Sequence, residues 1–135
     1  MKLPKNIPIF GDTSYRGPCP HESVEQISFF NFLRYKYPKT YGLIAIHPRN
    51  EGDRHHAQTI RHKAEGLSPG ASDIIIPGSP SFVMEMKRKD HTKSSWQTGQ
   101  LEYLEACQDS GAFVGVALGY KAAYEAFESW RKIFS

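Results

Sequence analysis

Residues 68–100 read SPGASDIIIPGSPSFVMEMKRKDHTKSSWQTGQ, and the rest of the chain can be placed around them. A Gly-bounded turn leads into an apolar run that opens with Asp73. A Pro-Gly-Ser-Pro turn at residues 77–80 follows, and a second apolar run then carries Glu85 and Lys87. Side chains alternate between the two faces of a strand, so Val83, Glu85 and Lys87 are expected on one face and Met84 and Met86 on the other. If residues 74–76 pair with residues 82–84 across the turn, Asp73 meets Glu85, Met86 and Lys87 at the open end of one hairpin.

Two carboxylates and an ammonium would then converge. This suits a hard divalent cation, since Mg²⁺ takes oxygen ligands and is usually held by one or two carboxylates together with water and phosphate oxygens. A lysine two residues from a ligand would lie beside the bound water, where it could orient or deprotonate that water or neutralise charge on a phosphate under attack. By itself a Glu-x-Lys more often marks a solvated pair on an exposed hairpin. Here Glu85 is embedded in an apolar run, where a carboxylate needs a compensating partner, and Asp73 opens an equally apolar one.

Asp73 followed by Glu85-Met86-Lys87 resembles the core of the PD-(D/E)XK nuclease superfamily, and the surroundings resemble its VRR-NUC (virus-type replication-repair nuclease) branch. In that branch a Gly-rich segment precedes the Asp, as residues 66–70 do here, and a Gln follows in the next helix with a Gly about three turns later, the slots of Gln100 and Gly111. The likeness extends upstream to Glu22, Gln26 and residues 48–52. Ser72 stands where the superfamily has its Pro, a position that shapes backbone and supplies no ligand.

The resemblance implies a restriction-endonuclease-like core and Mg²⁺ or Mn²⁺ as the cofactor. The metal would be held by Asp73, Glu85, the backbone carbonyl of Met86 and Glu22. Lys87 and Gln100 would complete the catalytic set. It also implies a structure-specific DNA endonuclease acting as a homodimer on four-way (Holliday) junctions or other branched DNA, in a bacterial or phage setting. Two alternatives stay open: a restriction- or repair-type nuclease with another DNA substrate, and a catalytically silent nucleic-acid-binding module. No Gly-rich phosphate loop or nucleophile elbow points to a small-molecule enzyme or an organic cofactor.

The 135 residues are enough for one domain with a real core, and 39% apolar with 23% charged residues is a globular composition. A net charge of +3 permits nucleic-acid binding without requiring it. Cys19 and Cys107 are the only cysteines and form no C-x-x-C pair, so neither zinc nor a disulfide framework is suggested. The N-terminus lacks the pattern of a signal peptide and no apolar run reaches membrane-spanning length, which makes a cytoplasmic setting the expectation.

Residues 1–20 contain four of the nine prolines and read as an extended N-terminal arm, with residues 21–135 as a single domain. From Glu22 the pattern turns helical, with Val24, Ile27, Phe30 and Leu33 as an apolar stripe, Phe29 and Phe32 widening it, and Pro38 ending it. Glu22, Glu25 and Gln26 share a face. They fit an acidic first turn that complements the helix dipole, and Glu25 competes with Glu22 for the site.

Residues 41–47 read as a short strand between Pro38 and Pro48, and residues 55–65 as a helix ending at Gly66. His55, His56 and His62 lack zinc-ligand spacing. They belong to a basic face with Arg54, Arg61 and Lys63 that could contact phosphates, as could Arg88, Lys89 and Lys93 in the basic stretch after the hairpin. Ser94 or Ser95 is expected to cap the next helix, which would include Gly99 as a weak spot and present Leu101 and Leu104 on one face. A buried strand at 112–118 and a closing helix at 120–134, with Ala123, Phe127 and Trp130 on its apolar face, complete the pattern. The order is that of an α/β domain, a small mixed β-sheet sandwiched by helices.

Overall fold

The computed structural model describes residues 1–48 and 56–134. Its elements follow in the order β1 (Ile9–Phe10), α1 (Glu22–Lys36), α2 (Tyr41–Ile44), α3 (His56–Ala64), β2 (Ile74–Ile76), β3 (Phe82–Lys87), α4 (Gln100–Asp109), β4 (Phe113–Leu118) and α5 (Tyr120–Arg131). Short 3₁₀ turns lie at His91–Lys93 and Lys132–Phe134.

The expected hairpin forms in the expected register: Ile74 faces Met84, Ile75 faces Val83 and Ile76 faces Phe82, antiparallel. β3 also pairs in parallel with β4, and β4 in parallel with β1, giving one mixed sheet in the order β1-β4-β3-β2. β3 is thus an inner strand, and all six of its residues are buried. Such a strand must be apolar on both faces or have its polar side chains partnered.

Alternation in β3 divides the interior in two. Phe82, Met84 and Met86 join Ile74, Ile76, Phe29, Leu33, Phe127 and Trp130 on the α1 and α5 side. Val83 joins Val114, Val116, Leu118, Leu104 and Ile7 on the α4 side. Full burial of each large apolar side chain contributes about 1.5–3 kcal/mol, so this two-sided sandwich is where the chain gains most of its stability. Trp130 is the largest fully buried side chain, and its indole N–H donates to the Pro80 carbonyl at 2.8 Å, tying α5 to the hairpin turn.

The N-terminal segment contributes β1 at the sheet edge and buries Ile7. Beyond β1 it runs across the stretch that follows β3. The Gly17 N–H donates to Asp90 at 3.0 Å and the Gly17 carbonyl accepts from Lys93 at 3.0 Å. Arg88 donates to the Cys19 carbonyl at 2.7 Å, and the Lys89 ammonium lies 4.4 Å from the Tyr15 ring centre. Residues 12–20 therefore form a strap over the basic loop.

Three local expectations are corrected. Residues 41–44 form a helical turn, not a strand. Gly42 donates to the Tyr37 carbonyl at 2.8 Å, closing the end of α1, and a Cβ there would lie 2.5 Å from the Leu33 carbonyl oxygen. Tyr41 meanwhile inserts its ring among Tyr37, Phe127 and Trp130, and only Ile46 makes a β-bridge, to Ile75. The apolar stripe of α1 is rotated: Phe29, Phe30 and Leu33 are buried, whereas Val24 and Ile27 are 50% and 59% exposed. Finally, α4 begins at Gln100, with Gly99 as its N-cap at φ +87°, a left-handed conformation that glycine adopts without strain. Ser94 and Ser95 therefore lie outside it, Ser94 accepting from the Arg88 N–H and donating to Glu22. No helix among the described residues is long and apolar enough to cross a membrane.

Candidate active site

The open end of the hairpin is where the site residues meet. Asp73 immediately precedes β2, and its carboxylate accepts from the Met86 N–H at 2.9 Å, continuing the ladder with a side chain where β2 has ended. In an extended strand a residue's N–H and C=O point to the same edge, so the Met86 carbonyl faces the same opening. Glu85, one residue earlier in β3, points to the α4 side with 1% exposure. Its Oε1 accepts from the Gln100 amide at 3.1 Å, while Oε2 is buried with no hydrogen-bond partner.

Lys87 is also 1% exposed, and its ammonium is fully engaged: it donates to the Ser95 carbonyl at 2.8 Å and to Gln100 Oε1 at 2.9 Å, and lies 5.0 Å from the Trp96 ring centre. Gln100 Oε1 accepts a second bond from the Gln97 N–H at 2.9 Å. With two donors on its oxygen and Glu85 on its nitrogen, the Gln100 amide has one orientation and links the acid to the base.

Gln100 is held in place by a close backbone contact. Gly70, at φ +82°, approaches Gly99 so closely that a Cβ on it would lie 2.2 Å from the Gly99 carbonyl carbon and 2.6 Å from the Gln100 nitrogen. The Pro-Gly turn before Asp73 and the start of α4 are thereby locked together.

Electrostatics mark Glu85. Burial first, and then the adjoining Asp73 carboxylate, push its carboxyl well above the usual carboxylate range; Lys87 opposes the shift and Glu22 adds to it. Two carboxylates in contact, one with an orphaned buried oxygen, require either a shared proton or a cation. An all-oxygen pair of this kind fits Mg²⁺ or Mn²⁺, which need only one or two carboxylates. Among the described residues no group of three or more His, Cys, Asp or Glu side chains is gathered into a ready-made metal cage. A cation here would have the two carboxylates as its side-chain donors, with backbone and solvent oxygens completing the set.

Asp73 opens onto a cleft of about 670 Å³, lined also by Glu22 and Gln26 of α1, by His47, by Gly70, and by Gln97 and Gln100, with Glu85 buried behind Gln100. The helix phase separates the two candidate glutamates. Glu22 lines the cleft and accepts from Ser94 at 2.7 Å. Glu25 is turned inward to the Gly119–Tyr120 junction, where it accepts the Tyr120 N–H at the start of α5; burial raises its pKa, and that bond and Lys89 oppose the rise.

Among the described residues, the cations expected to touch phosphate are not in the cleft lining. Arg88, Lys89 and Lys93 serve the strap, Arg61 pairs with Glu65 at 2.9 Å on the exposed face of α3, and Lys63 is exposed on the same helix. Arg54, His55 and the 49–52 stretch lie outside the described residues. His47 also lines the cleft, although nothing in its sequence neighbourhood marks it as functional. Its ring is fixed on the cleft by Nδ1 at 2.8 Å from the Asp73 carbonyl oxygen, a contact across the Ile46–Ile75 bridge that only the folded pairing creates.

No family model and no curated protein matches the sequence. The structure is similar to a solved structure described as a VRR_NUC domain protein, with a TM-score of 0.68 and 19% sequence identity over 87% of this chain and 92% of that one. The fold is therefore VRR-NUC-like, an α/β sandwich around a mixed four-stranded sheet.

Proposed function

We propose that this protein is a divalent-metal-dependent nuclease of the PD-(D/E)XK type that hydrolyses DNA phosphodiesters, with four-way or otherwise branched DNA as its substrate. One observation carries this reading. Asp73 lines an open cleft with Glu85 buried beside it, and Lys87 is tied to Glu85 through the single amide of Gln100, which also lines the cleft. The likeness to a VRR_NUC domain protein supports the same assignment.

Asp73 and Glu85 would hold Mg²⁺ or Mn²⁺, with the Met86 carbonyl and Glu22 at the margin of the set. When bound, such an ion supplies a nucleophilic water at neutral pH and offsets charge on the phosphate. Lys87 keeps a fixed positive charge beside the carboxylates. There it stabilises the negative charge that builds up as the phosphorus gains a fifth oxygen. Gln100 holds Lys87 and Glu85 at fixed separation, so neither reorganises during the reaction. Two symmetric nicks need two sites and one chain of this size has one, so the working form would be a homodimer.

The test compares wild type with Glu85→Gln and Lys87→Ala on labelled junctions, flaps and linear duplexes in Mg²⁺, Mn²⁺ or EDTA. Expected are metal-dependent cleavage by wild type, loss of metal affinity and cleavage in Glu85→Gln, and retained metal binding in Lys87→Ala with a chemical step slower by about 10²–10³-fold. Undiminished cleavage by both variants would sink the site. Preference for linear duplex would replace the branched substrate with a restriction- or repair-type one. The burial of Glu85 and Lys87 behind Gln100 favours one other reading, a binding module without catalysis. A wild type that binds DNA but never cuts under either metal selects that module.

A further inference from the structure

The cleft does not end at Gln26. A second compartment of about 400 Å³ continues from it along α1, sharing Gln26, Ile27 and His47 with the first. On the α1 side the two are lined by residues 22, 23, 26, 27, 30, 31 and 34, which at 3.6 residues per turn is one uninterrupted helix face. At 1.5 Å per residue this face runs about 18 Å from Glu22 to Arg34. The opposite wall of the second compartment is Ala45, Ile46 and His47.

The chemistry of this extension differs from that of the carboxylate end. Ile27 and Ile46 stand 59% and 52% exposed in it, although the sequence pattern assigns Ile27 to the core. Asn31 adds an amide. At the far end the Arg34 guanidinium lies over the Phe30 ring, 5.4 Å from its centre, and stays exposed. A guanidinium held over an aromatic ring keeps its N–H donors free for a phosphate.

We infer that this compartment seats an unpaired DNA strand running on from the scissile phosphate, with bases against Ile27 and Ile46 and a backbone phosphate at Arg34. A duplex offers phosphates but hides its base faces. A groove whose described lining has two exposed isoleucines and one cation suits it poorly, whereas an unpaired strand presents both bases and phosphate. The inference rests on the nuclease reading for its direction, since the groove is continuous with the carboxylate site, and among branched DNAs it selects those with a single-stranded segment beside the cut, such as flaps, over a fully paired four-way junction.

The test uses the Glu85→Gln protein in EDTA, so that binding is read without cleavage, with a fluorescein-labelled oligothymidylate strand and a blunt duplex of the same length as probes. Arg34→Gln and Ile27→Asp are each added to that background. Both residues are exposed, so the fold should persist. The exposed Lys121→Gln on α5 serves as a charge control. Expected is tighter binding of the strand than of the duplex, weakened about tenfold by either groove variant. The slope of log affinity against log salt should become shallower by about 0.7 for Arg34→Gln, as one phosphate contact is lost. The control should be unchanged.

Strand binding unaltered in both groove variants overturns the inference, even if wild type cuts junctions and the nuclease reading stands. A loss of binding that coincides with a change from dimer to monomer in light scattering also overturns it, assigning the groove to a second copy of the chain. Binding through Arg34 and Ile27 by a wild type that never cuts keeps the groove and removes the nuclease.

Discussion

Glu85 is a buried acid whose partners include another acid, and this has a measurable consequence in EDTA. Its folded pKa is raised above its unfolded value, so the neutral form is favoured in the fold. Stability is therefore fully present below the unfolded value and is lost as pH rises through the folded one. Glu85→Gln keeps the shape and an acceptor for Gln100 without the charge. In EDTA at neutral pH this variant should melt higher than wild type, by about 1–3 kcal/mol for the relieved buried group, and its melting point should depend less on pH above 4.5. Added Mg²⁺ or Mn²⁺ should reverse the order, stabilising wild type and not the variant. Thermal melts across pH with and without metal check both statements, and an equal or lower melting point for Glu85→Gln in EDTA would contradict the electrostatic account. At this scale Asp73, Glu85 and Lys87 were legible because alternation along a strand is rigid. Glu22 and Glu25 were not separable, since three residues apart on a helix both lie near one face and packing chooses between them. His47 carried no signal at all.

At the level of elements, two contacts hold the site's surroundings in place. Gly70 and Gly99 lock the pre-hairpin turn to the start of α4. Gly70→Ala would force a Cβ against backbone in a left-handed conformation, with a cost of more than about 1 kcal/mol. The variant should lower cleavage more than it lowers the melting point, because the displaced element carries Gln100. Equal activity in a destabilised protein would show the contact to be merely structural. The strap depends on Asp90, which accepts from the Gly17 N–H, the Thr92 N–H and the Thr92 hydroxyl. The Thr92 hydroxyl first, and then Gly17, lower its pKa from 3.8 to about 2. A depressed folded pKa contributes stability above the unfolded value that is lost as pH falls. The strap should thus become more open to hydrogen exchange between pH 3.8 and about 2, and Asp90→Ala should show that opening already at neutral pH. Protection at Gly17 unchanged in Asp90→Ala would remove the strap's dependence on this residue.

For the molecule as a whole, the sheet is stabilised from the α1 and α5 side by an aromatic cluster centred on Trp130, with Tyr41, Phe82 and Phe127 around it. Trp130→Ala should cost about 3–5 kcal/mol, read as a lower urea midpoint. Trp130→Phe should cost about 1 kcal/mol more than its lost area explains, because the Pro80 carbonyl loses its donor. A near-neutral Trp130→Ala would mean the cluster is not the core it resembles. If paired nicking is the activity, light scattering should report about twice the chain mass of 15.3 kDa. A strict monomer that cuts both strands symmetrically would remove the reason for a dimer.

The sequence by itself determined the hairpin, its register and the convergence of Asp73 with Glu85 and Lys87. A short turn and a two-residue period leave a hairpin one arrangement. It also determined the α/β class and the order from the hairpin onward, because β3, β4 and α5 are long enough for their periods to be unambiguous, but not β1 or the turn at 41–44. Only the tertiary structure decided the rest. It turned residues 41–44 into a helical turn, since Gly42 fits under the end of α1 and Tyr41 fills the aromatic cluster. It took Arg88, Lys89 and Lys93 for the strap, and it exposed Ile27 on a groove. Each of those outcomes depends on a partner distant in the chain, and local periodicity and propensity carry no information about which distant surface a segment will meet.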